Sequence, residues 1–257
     1  MTEVWTDGGP YERYVGRWSR QVAPKFLDWL PDAPGAAWCD VGCGTGALSH
    51  AILATRQPVR VVGVDPSEGF LGVAIRNADG PFEGRVGSAT DIPAGDSEFD
   101  RVVGGLMLNF VPDYERAMTE MRRIAKPGGY IGVYVWAYAE GMEMMRLFWD
   151  AAITVDENAL ELDEGPRFPV CRPGGLTALF SQAGLADVKV EGIEIPTVFA
   201  DFDDYWQPFL GGQGAAPAYF DRLDEYQQVA IRERLRAALP KGEIALTARA
   251  WAAQGRT

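Results

Sequence analysis

The residues best placed to do chemistry lie together near the start of the chain. They are Asp40-Val41-Gly42-Cys43-Gly44-Thr45-Gly46, with Asp65 following 21 positions after Gly44. Glycines at alternate positions let a backbone turn sharply and approach a ligand closely. A helix starting just after them presents unpaired N–H groups and the positive end of its dipole. The Asp40 carboxylate, two residues ahead of the first glycine, suits an ammonium group or a fixed loop and would repel a pyrophosphate. Asp65 stands where an acid accepts the two ribose hydroxyls in a doubly wound sheet. The chemistry indicated is the holding of a nucleoside-bearing ligand. The same residues could instead form a structural tight turn, with Asp40 capping the loop's own amides.

Such a loop needs elements that aim it. Ala37–Val41 reads as a short buried strand, Ala47–Thr55 as a helix, and residues 59–64 as a strand rich in β-branched residues. Residues 67–77 read as a helix with Ser67 at its N-cap, and Phe82–Val86 as a weak strand. Residues 101–105 read as a strand, 112–124 as a helix with Pro112 in its first turn, and 130–136 as a strand after the Lys126-Pro127-Gly128-Gly129 stop. This alternation predicts a parallel sheet covered by helices. Ahead of it, residues 11–30 read as a helix pair interrupted near Pro24. Beyond residue 137 come a Met/Trp/Phe helix, an acidic segment, and a helix over 176–183. A strand over 188–195 leads to an aromatic, acidic, glycine-rich inserted loop at 197–218. A helix over 219–239 and a last strand over 243–251 complete the chain.

Composition narrows the function further. The 257 residues carry 24 Lys+Arg against 36 Asp+Glu, a formal charge of −12, which argues against nucleic acid and a polybasic membrane anchor. Hydrophobic residues make up 47%, too many for a disordered chain. No apolar run is long enough to span a membrane. The acidic first residues do not read as a signal peptide. Cys39, Cys43 and Cys171 form no CxxC, so a reduced cytoplasmic enzyme without metal is expected.

The Asp40–Gly46 loop resembles the first motif of the class I SAM-dependent methyltransferases, and the resemblance continues in order. Val64-Asp65-Pro66-Ser67 is similar to the second motif, and Gly87-Ser88-Ala89-Thr90-Asp91-Ile92-Pro93 to the "GDAxxLP" segment. Phe99-Asp100-Arg101-Val102-Val103 is similar to the "FDxV" strand, and residues 122–129 to the "RVLKPGG" turn. Together they cover residues 36–136 and most resemble the small-molecule branch called type 11. The resemblance implies a Rossmann-like α/β sheet of seven strands in the order 3-2-1-4-5-7-6, the last strand antiparallel. It also implies a SAM-dependent methyltransferase with S-adenosyl-L-methionine as cofactor. Asp40, Gly42, Gly44 and Gly46 would hold the methionyl part, Asp65 with Pro66 and Ser67 the ribose side, and Ser88 and Ala89 the adenine. Leu106 and Asn109 would line the cofactor after the fourth strand. Tyr14 and Arg17 lie in a segment that in such enzymes folds over SAM, and Arg17 could pair with the methionyl carboxylate. One position departs from the family: an Asp is usual before Ala89, and here Ser88 offers a hydroxyl without charge, with Asp91 nearby.

Methyl transfer is an in-line displacement, so aligning the nucleophile and excluding water supply much of the rate, about 7–11 kcal/mol from orientation alone. His50, the single histidine, falls inside the helix after the loop and reads as a packing residue rather than a base. The catalytic residue is left unassigned, and transfer is expected to run on proximity. The acceptor is expected to be a small aromatic or apolar molecule, methylated on O, N or C. Its candidate walls are Tyr11 and Trp18, then Trp136, Tyr138, Met142, Arg146 and Trp149, then Phe168, Phe199, Tyr205 and Trp206; the aromatic ones could instead be ordinary packing of a cap, as most aromatics at helical spacing are. The expected organisation is a helical lid over 1–35, a SAM-binding core over 36–136, a helical cap over 137–185, and a C-terminal part of the core over 186–257. Two other readings share the glycine loop. One is an NAD-dependent oxidoreductase, disfavoured by the D-x-GxGxG spacing and the lack of a Tyr-x-x-x-Lys pair. The other is a SAM-binding module without catalysis.

Overall fold

The central strand, Ala-Trp-Cys-Asp-Val, has every side chain buried. In the computed structural model, which describes residues 16–211 and 214–257, this strand, β1 (Ala37–Val41), pairs in parallel with β2 (Arg60–Asp65) and β4 (Phe99–Gly105). Strands covered on both faces lose the usual polar alternation, and Val61, Val62, Val102 and Val103 are all buried. Strand β3 (Phe82–Val86) pairs with β2, and β5 (Ala125–Trp136) with β4, both in parallel. With β6 (Ala186–Phe199) and β7 (Ile244–Arg256) the seven strands take the order β3-β2-β1-β4-β5-β7-β6, the last antiparallel.

The helices are α1 (Arg17–Trp29), α2 (Ala47–Thr55), α3 (Glu68–Asn77), α4 (Tyr114–Ile124), α5 (Glu143–Ile153), α6 (Glu164–Arg167) and α7 (Pro173–Gln182). Helices α8 (Phe202–Trp206), α9 (Ala215–Phe220) and α10 (Glu225–Ala238) follow. Their starts are set by side-chain caps. Ser67 accepts from the Phe70 amide at 3.3 Å, and Asp113 from the Arg116 amide at 2.8 Å. Asp224 and Gln227 close a capping box on α10.

The chain divides into two compact units. One consists of Ser19–Val135, Arg172–Ile193 and Ala250–Thr257; the other of residues through Trp18, Trp136–Cys171 and Glu194–Arg249. In the first, Phe26 of α1 packs on Tyr134 of β5 at 4.8 Å between ring centres. In the second, aromatic rings form the core. Phe148 stacks on Phe209 at 4.6 Å, and Trp206 meets Phe220 edge-on at 4.9 Å.

Several elements differ from the sequence reading. No break occurs at Pro24: α1 runs through it as one helix. The missing N–H costs one bond, while Val22, Ala23, Phe26 and Leu27 bury a continuous face. Helix α4 begins at Tyr114, because Asp113 caps it and Pro112 lies outside. Strand β5 begins at Ala125, taking Pro127, Gly128 and Gly129 into the strand. Its pairing with β4 shifts register between Phe99 and Arg101, as at a β-bulge.

The segment 197–218, expected as a loop, is largely helical. Phe202, Tyr205, Trp206 and Phe209 stand at i, i+3, i+4 and i+7 and are all buried. Asp201 caps them by accepting from the Asp204 amide at 2.9 Å. The helix expected over 219–239 is two helices, α9 and α10, and β7 extends to Arg256.

Candidate functional site

Where β1 and β2 end, the chain turns through three glycines that only glycine tolerates well. The amides of Gly42 and Cys43 both donate to the Val64 carbonyl, at 2.7 and 3.1 Å, tying the loop to the end of β2. Gly42 has φ +69°, and a Cβ there would lie 2.6 Å from Cβ of Met107. Gly46 has φ +94°, and a Cβ there would meet the His50 ring at 2.7 Å. Gly44, at φ +54°, faces open space.

Asp65 secures this loop. One carboxylate oxygen accepts the Gly44 amide at 2.9 Å and the other the Ser67 amide at 2.8 Å. Burial raises its pKa, and those two amides oppose the rise. A carboxylate has about four acceptor sites, so both oxygens keep a lone pair for ribose hydroxyls.

Asp40 is the unusual group. It is 1% exposed. Ser49, on α2, donates its hydroxyl to Oδ2 at 2.6 Å, while Oδ1 is buried with no partner. Burial pushes the carboxyl up to about 7; the Ser49 bonds pull it down and the nearby Asp65 charge adds to the rise. A buried acceptor with an unused oxygen, two residues ahead of the glycine turn, fits a cationic ammonium such as the amino group of a methionyl moiety. Ser49 was missed in the sequence, although it is a hydroxyl on an otherwise apolar helix start.

The same unit carries the other expected contacts. Leu106 has φ +58°, rare for a leucine, and its amide donates to the Tyr134 carbonyl at 2.8 Å. That conformation follows β4 directly and turns the chain into the short 3₁₀ segment Leu108–Phe110, where Asn109 is buried. Such strain collects at functional sites, and nothing in the residue type announces it. Ser88 forms a small turn: its hydroxyl lies 2.9 Å from the Thr90 hydroxyl and accepts the Thr90 amide at 3.2 Å. The turn continues into Ile92, whose amide donates to Glu120 at 3.0 Å. Arg123 holds Glu120 and the Ile92 and Ala94 carbonyls. The bond from Arg123 lowers the Glu120 pKa. Pro66 and Ser88 are exposed, and Ala89 is half-buried.

His50 Nε2 lies 3.0 Å from the Ala74 carbonyl, with the ring edge-on to Phe82. Burial raises the pKa of Cys39 and Cys43, keeping both as thiols. Among the described residues no cluster of His, Cys, Asp and Glu could hold a metal ion.

In the other unit, most of the expected acceptor residues are packed inward. Trp136, Tyr138, Met142, Trp149, Tyr205 and Trp206 are buried, and Phe168 is half-buried against Tyr138. Trp149 donates its indole N–H to Glu164 at 2.5 Å, and the Tyr205 hydroxyl donates to the Met144 carbonyl at 3.0 Å. Arg146 holds Asp163 with two bonds. Arg17 pairs with Asp204 at 3.2 Å, its guanidinium carbon 4.4 and 4.7 Å from the ring centres of Trp18 and Phe199. Tyr11 and Tyr14 lie outside the described residues.

Comparison with known proteins gives a consistent picture. A model of a methyltransferase domain matches residues 39–133. The demethylmenaquinone methyltransferase of Symbiobacterium thermophilum is 39% identical over 121 residues, 45% of this chain and 48% of that one. The enzyme of the same name from Staphylococcus saprophyticus is 31% identical over 172 residues, covering 61% of this chain and 72% of that one. For the first curated relatives the match spans about half of their length. A solved structure of Haemonchus contortus phosphoethanolamine N-methyltransferase 2, in complex with S-adenosyl-L-methionine, superposes with a TM-score of 0.58 at 15% identity. It covers 97% of this chain and 57% of that one.

Proposed function

The chain belongs to the class I SAM-dependent methyltransferases, and from that premise we propose that it moves the sulfonium methyl of S-adenosyl-L-methionine to an O, N or C nucleophile of a small aromatic or apolar molecule. The observation that carries this reading is the buried Asp40 carboxylate. Its Oδ1 is buried without a partner near the end of β1, two residues ahead of the Gly42–Gly46 turn that Asp65 pins. In this reading Asp40 receives the methionyl ammonium and Gly44 leaves room for it. Asp65 accepts the ribose hydroxyls, Ser88 and Ala89 flank the adenine, and Leu106 and Asn109 line the cofactor.

The bound cofactor supplies an electrophilic methyl on a good leaving group, so the chain's own residues have to orient and to exclude water. His50 serves packing, since its ring nitrogen faces the Ala74 carbonyl. The relatives' name brings demethylmenaquinone forward as one acceptor of the proposed kind. The acidic charge argues against nucleic acid as acceptor. The free, buried cysteines suit a reducing cytoplasm. Among the described residues no helix is long and apolar enough to cross a membrane.

The test is methyl transfer itself. The protein is incubated with methyl-labelled SAM and a panel of demethylmenaquinone, phenols, aromatic amines and aromatic acids. Labelled product from any of them supports the reading. SAM binding with no labelled product from any acceptor class would favour the non-catalytic module.

A further inference from the structure

Ser49 reaches back from the start of α2 to the acid at the end of β1. The helix begins at Ala47, after a glycine that offers no side chain to cap it. The amides of its first turn therefore have no partner inside the helix. Ser49, third in that turn, turns both of its polar groups on Asp40. Its hydroxyl donates to Oδ2 at 2.6 Å, and its amide also bonds the carboxylate. Both side chains are buried, so bulk water does not compete for these bonds.

What the hydroxyl does depends on what else faces the carboxylate. In the sheet Asp40 lies beside Gly63 of β2 and Val103 of β4, and neither carries a charge. At the end of β2 stands Asp65, whose charge opposes ionisation of Asp40. Cys39 on β1 and Cys43 in the turn feel the Asp40 charge and stay thiols. His50, next along α2, faces the Ala74 carbonyl instead. Burial pushes the Asp40 carboxyl up to about 7, and the bonds from Ser49 lower it. A donor bond favours the charged form of a carboxylate, and the start of a helix favours a negative charge.

We propose that Ser49 is a positioning residue for cofactor binding: its hydroxyl holds the Asp40 carboxylate in place and in its charged form, which gives the Gly42–Gly46 turn the negative field that a cationic ligand needs. This rests on the methyl-transfer reading, in which the ligand brings an ammonium group. A charge in a poorly screened interior acts on a ligand at the turn without being touched by it, and Gly42, Gly44 and Thr45 in that turn are only half-buried. Ser49, Asp40, the turn and Asp65 all belong to one compact unit. Ser49 takes no part in the bond changes.

The experiment uses the full chain and compares wild type with Ser49→Ala. S-adenosylhomocysteine is titrated by calorimetry at pH 6, 7, 8 and 9. Removing the hydroxyl should move the Asp40 titration up by about one to two pH units, the range for one hydrogen bond to a charged group. The variant should bind about ten- to a hundredfold more weakly than wild type at pH 6, and within about twofold of it at pH 9. A residue that only packs α2 would lower affinity by the same factor at every pH. Asp65 also titrates, so Ser49→Ala is repeated in an Asp40→Asn background. There the hydroxyl has no charge to hold, and the gap should be the same at every pH.

The pair is also read without ligand, by urea denaturation followed by tryptophan fluorescence. A carboxyl whose native pKa is raised loses stability until the pH passes that value. Wild-type stability should stop falling near pH 7, and that of Ser49→Ala should fall on to about pH 8–9. Melting curves identify which proteins are folded. If Ser49→Ala is not, Ser49→Cys, close in shape and with only a weak S–H donor, carries the test with a shift in the same direction. A constant affinity gap from pH 6 to pH 9 in a folded variant overturns the proposal. So does a gap that varies with pH in the Asp40→Asn background, or stability profiles that level off at the same pH. Failure of wild type to bind S-adenosylhomocysteine at any pH would count against the methyl-transfer reading and remove the ligand half of the proposal. The ligand-free arm would still decide whether Ser49 keeps Asp40 charged.

Discussion

Replacing Asp40 by Asn should make the ligand-free protein more stable near neutral pH and a poorer binder of cofactor. The carboxyl is 1% exposed and its pKa is pushed by burial from 3.8 to about 7. A native pKa above the unfolded one means that the folded state holds its proton more tightly. Stability from this group therefore falls as pH rises from about 4 to about 7, and is flat above that. A gap of this size corresponds to a penalty on the order of 4 kcal/mol once both states are ionised.

Asn removes the ionisation. Its carbonyl can still accept the Ser49 hydroxyl, while its amide sits where Oδ1 has no partner. That unpaired amide costs about 1–3 kcal/mol at every pH. The difference between Asp40→Asn and wild type should thus grow in favour of the variant by a few kcal/mol between pH 4 and pH 8. The assay is urea denaturation of both proteins without ligand, followed by tryptophan fluorescence at pH 5, 6, 7 and 8. Titrations elsewhere that do not touch Asp40, such as that of Glu120, are common to both and cancel in the difference. Stability profiles that run parallel across this range would refute the reasoning, because they would mean that Asp40 carries no strained charge. Cofactor affinity should move the other way, weakening by about 1–3 kcal/mol in the variant for loss of a charged partner.

Three further outcomes are expected. Gly42→Ala puts a methyl at φ +69° and 2.6 Å from Met107 Cβ. It should lower stability by about 1–3 kcal/mol and weaken S-adenosylhomocysteine in calorimetry, whereas Gly128→Ala, also at positive φ but with open space, should affect only stability. His50→Ala should leave turnover within about threefold, against the 10²–10⁴-fold loss expected of a general base; steady-state kinetics decide. Trp206→Ala removes a buried ring that packs on Phe202, Phe209 and Phe220. It should cost about 3–5 kcal/mol of stability, read by thermal melting; a small change in melting with a raised acceptor KM would instead make it a wall of the acceptor pocket.

Between Ala37 and Val86 the sequence could be read closely because local signals there agree with the tertiary structure. Ala37–Val41, Ala47–Thr55 and Phe82–Val86 form with the expected bounds, and Ser67 caps its helix as its type suggests. Parallel strands buried on both faces and turns that demand glycine leave few alternatives. The second half was harder. In 197–218 the acids and glycines pointed to a loop, while the helical spacing of Phe202, Tyr205, Trp206 and Phe209 carried the structure. At the site, residue type showed the acids and glycines but not their internal partners. Ser49 on Asp40, the backbone amides on Asp65 and the left-handed Leu106 depend on tertiary placement, which no spacing rule encodes. Arg17 could be singled out as a cation in the N-terminal helical segment, but its pairing with Asp204, 187 positions away, could not.

The central claim is that the Asp40–Gly46 loop and Asp65 hold an adenosyl-methionine ligand rather than a dinucleotide. Calorimetric titration of the wild-type protein with S-adenosyl-L-methionine, S-adenosylhomocysteine and NAD in parallel tests it most directly. The account expects micromolar binding of the first two, at about one site per chain, and no heat with NAD. Saturable binding of NAD with no heat from either sulfur ligand would contradict it.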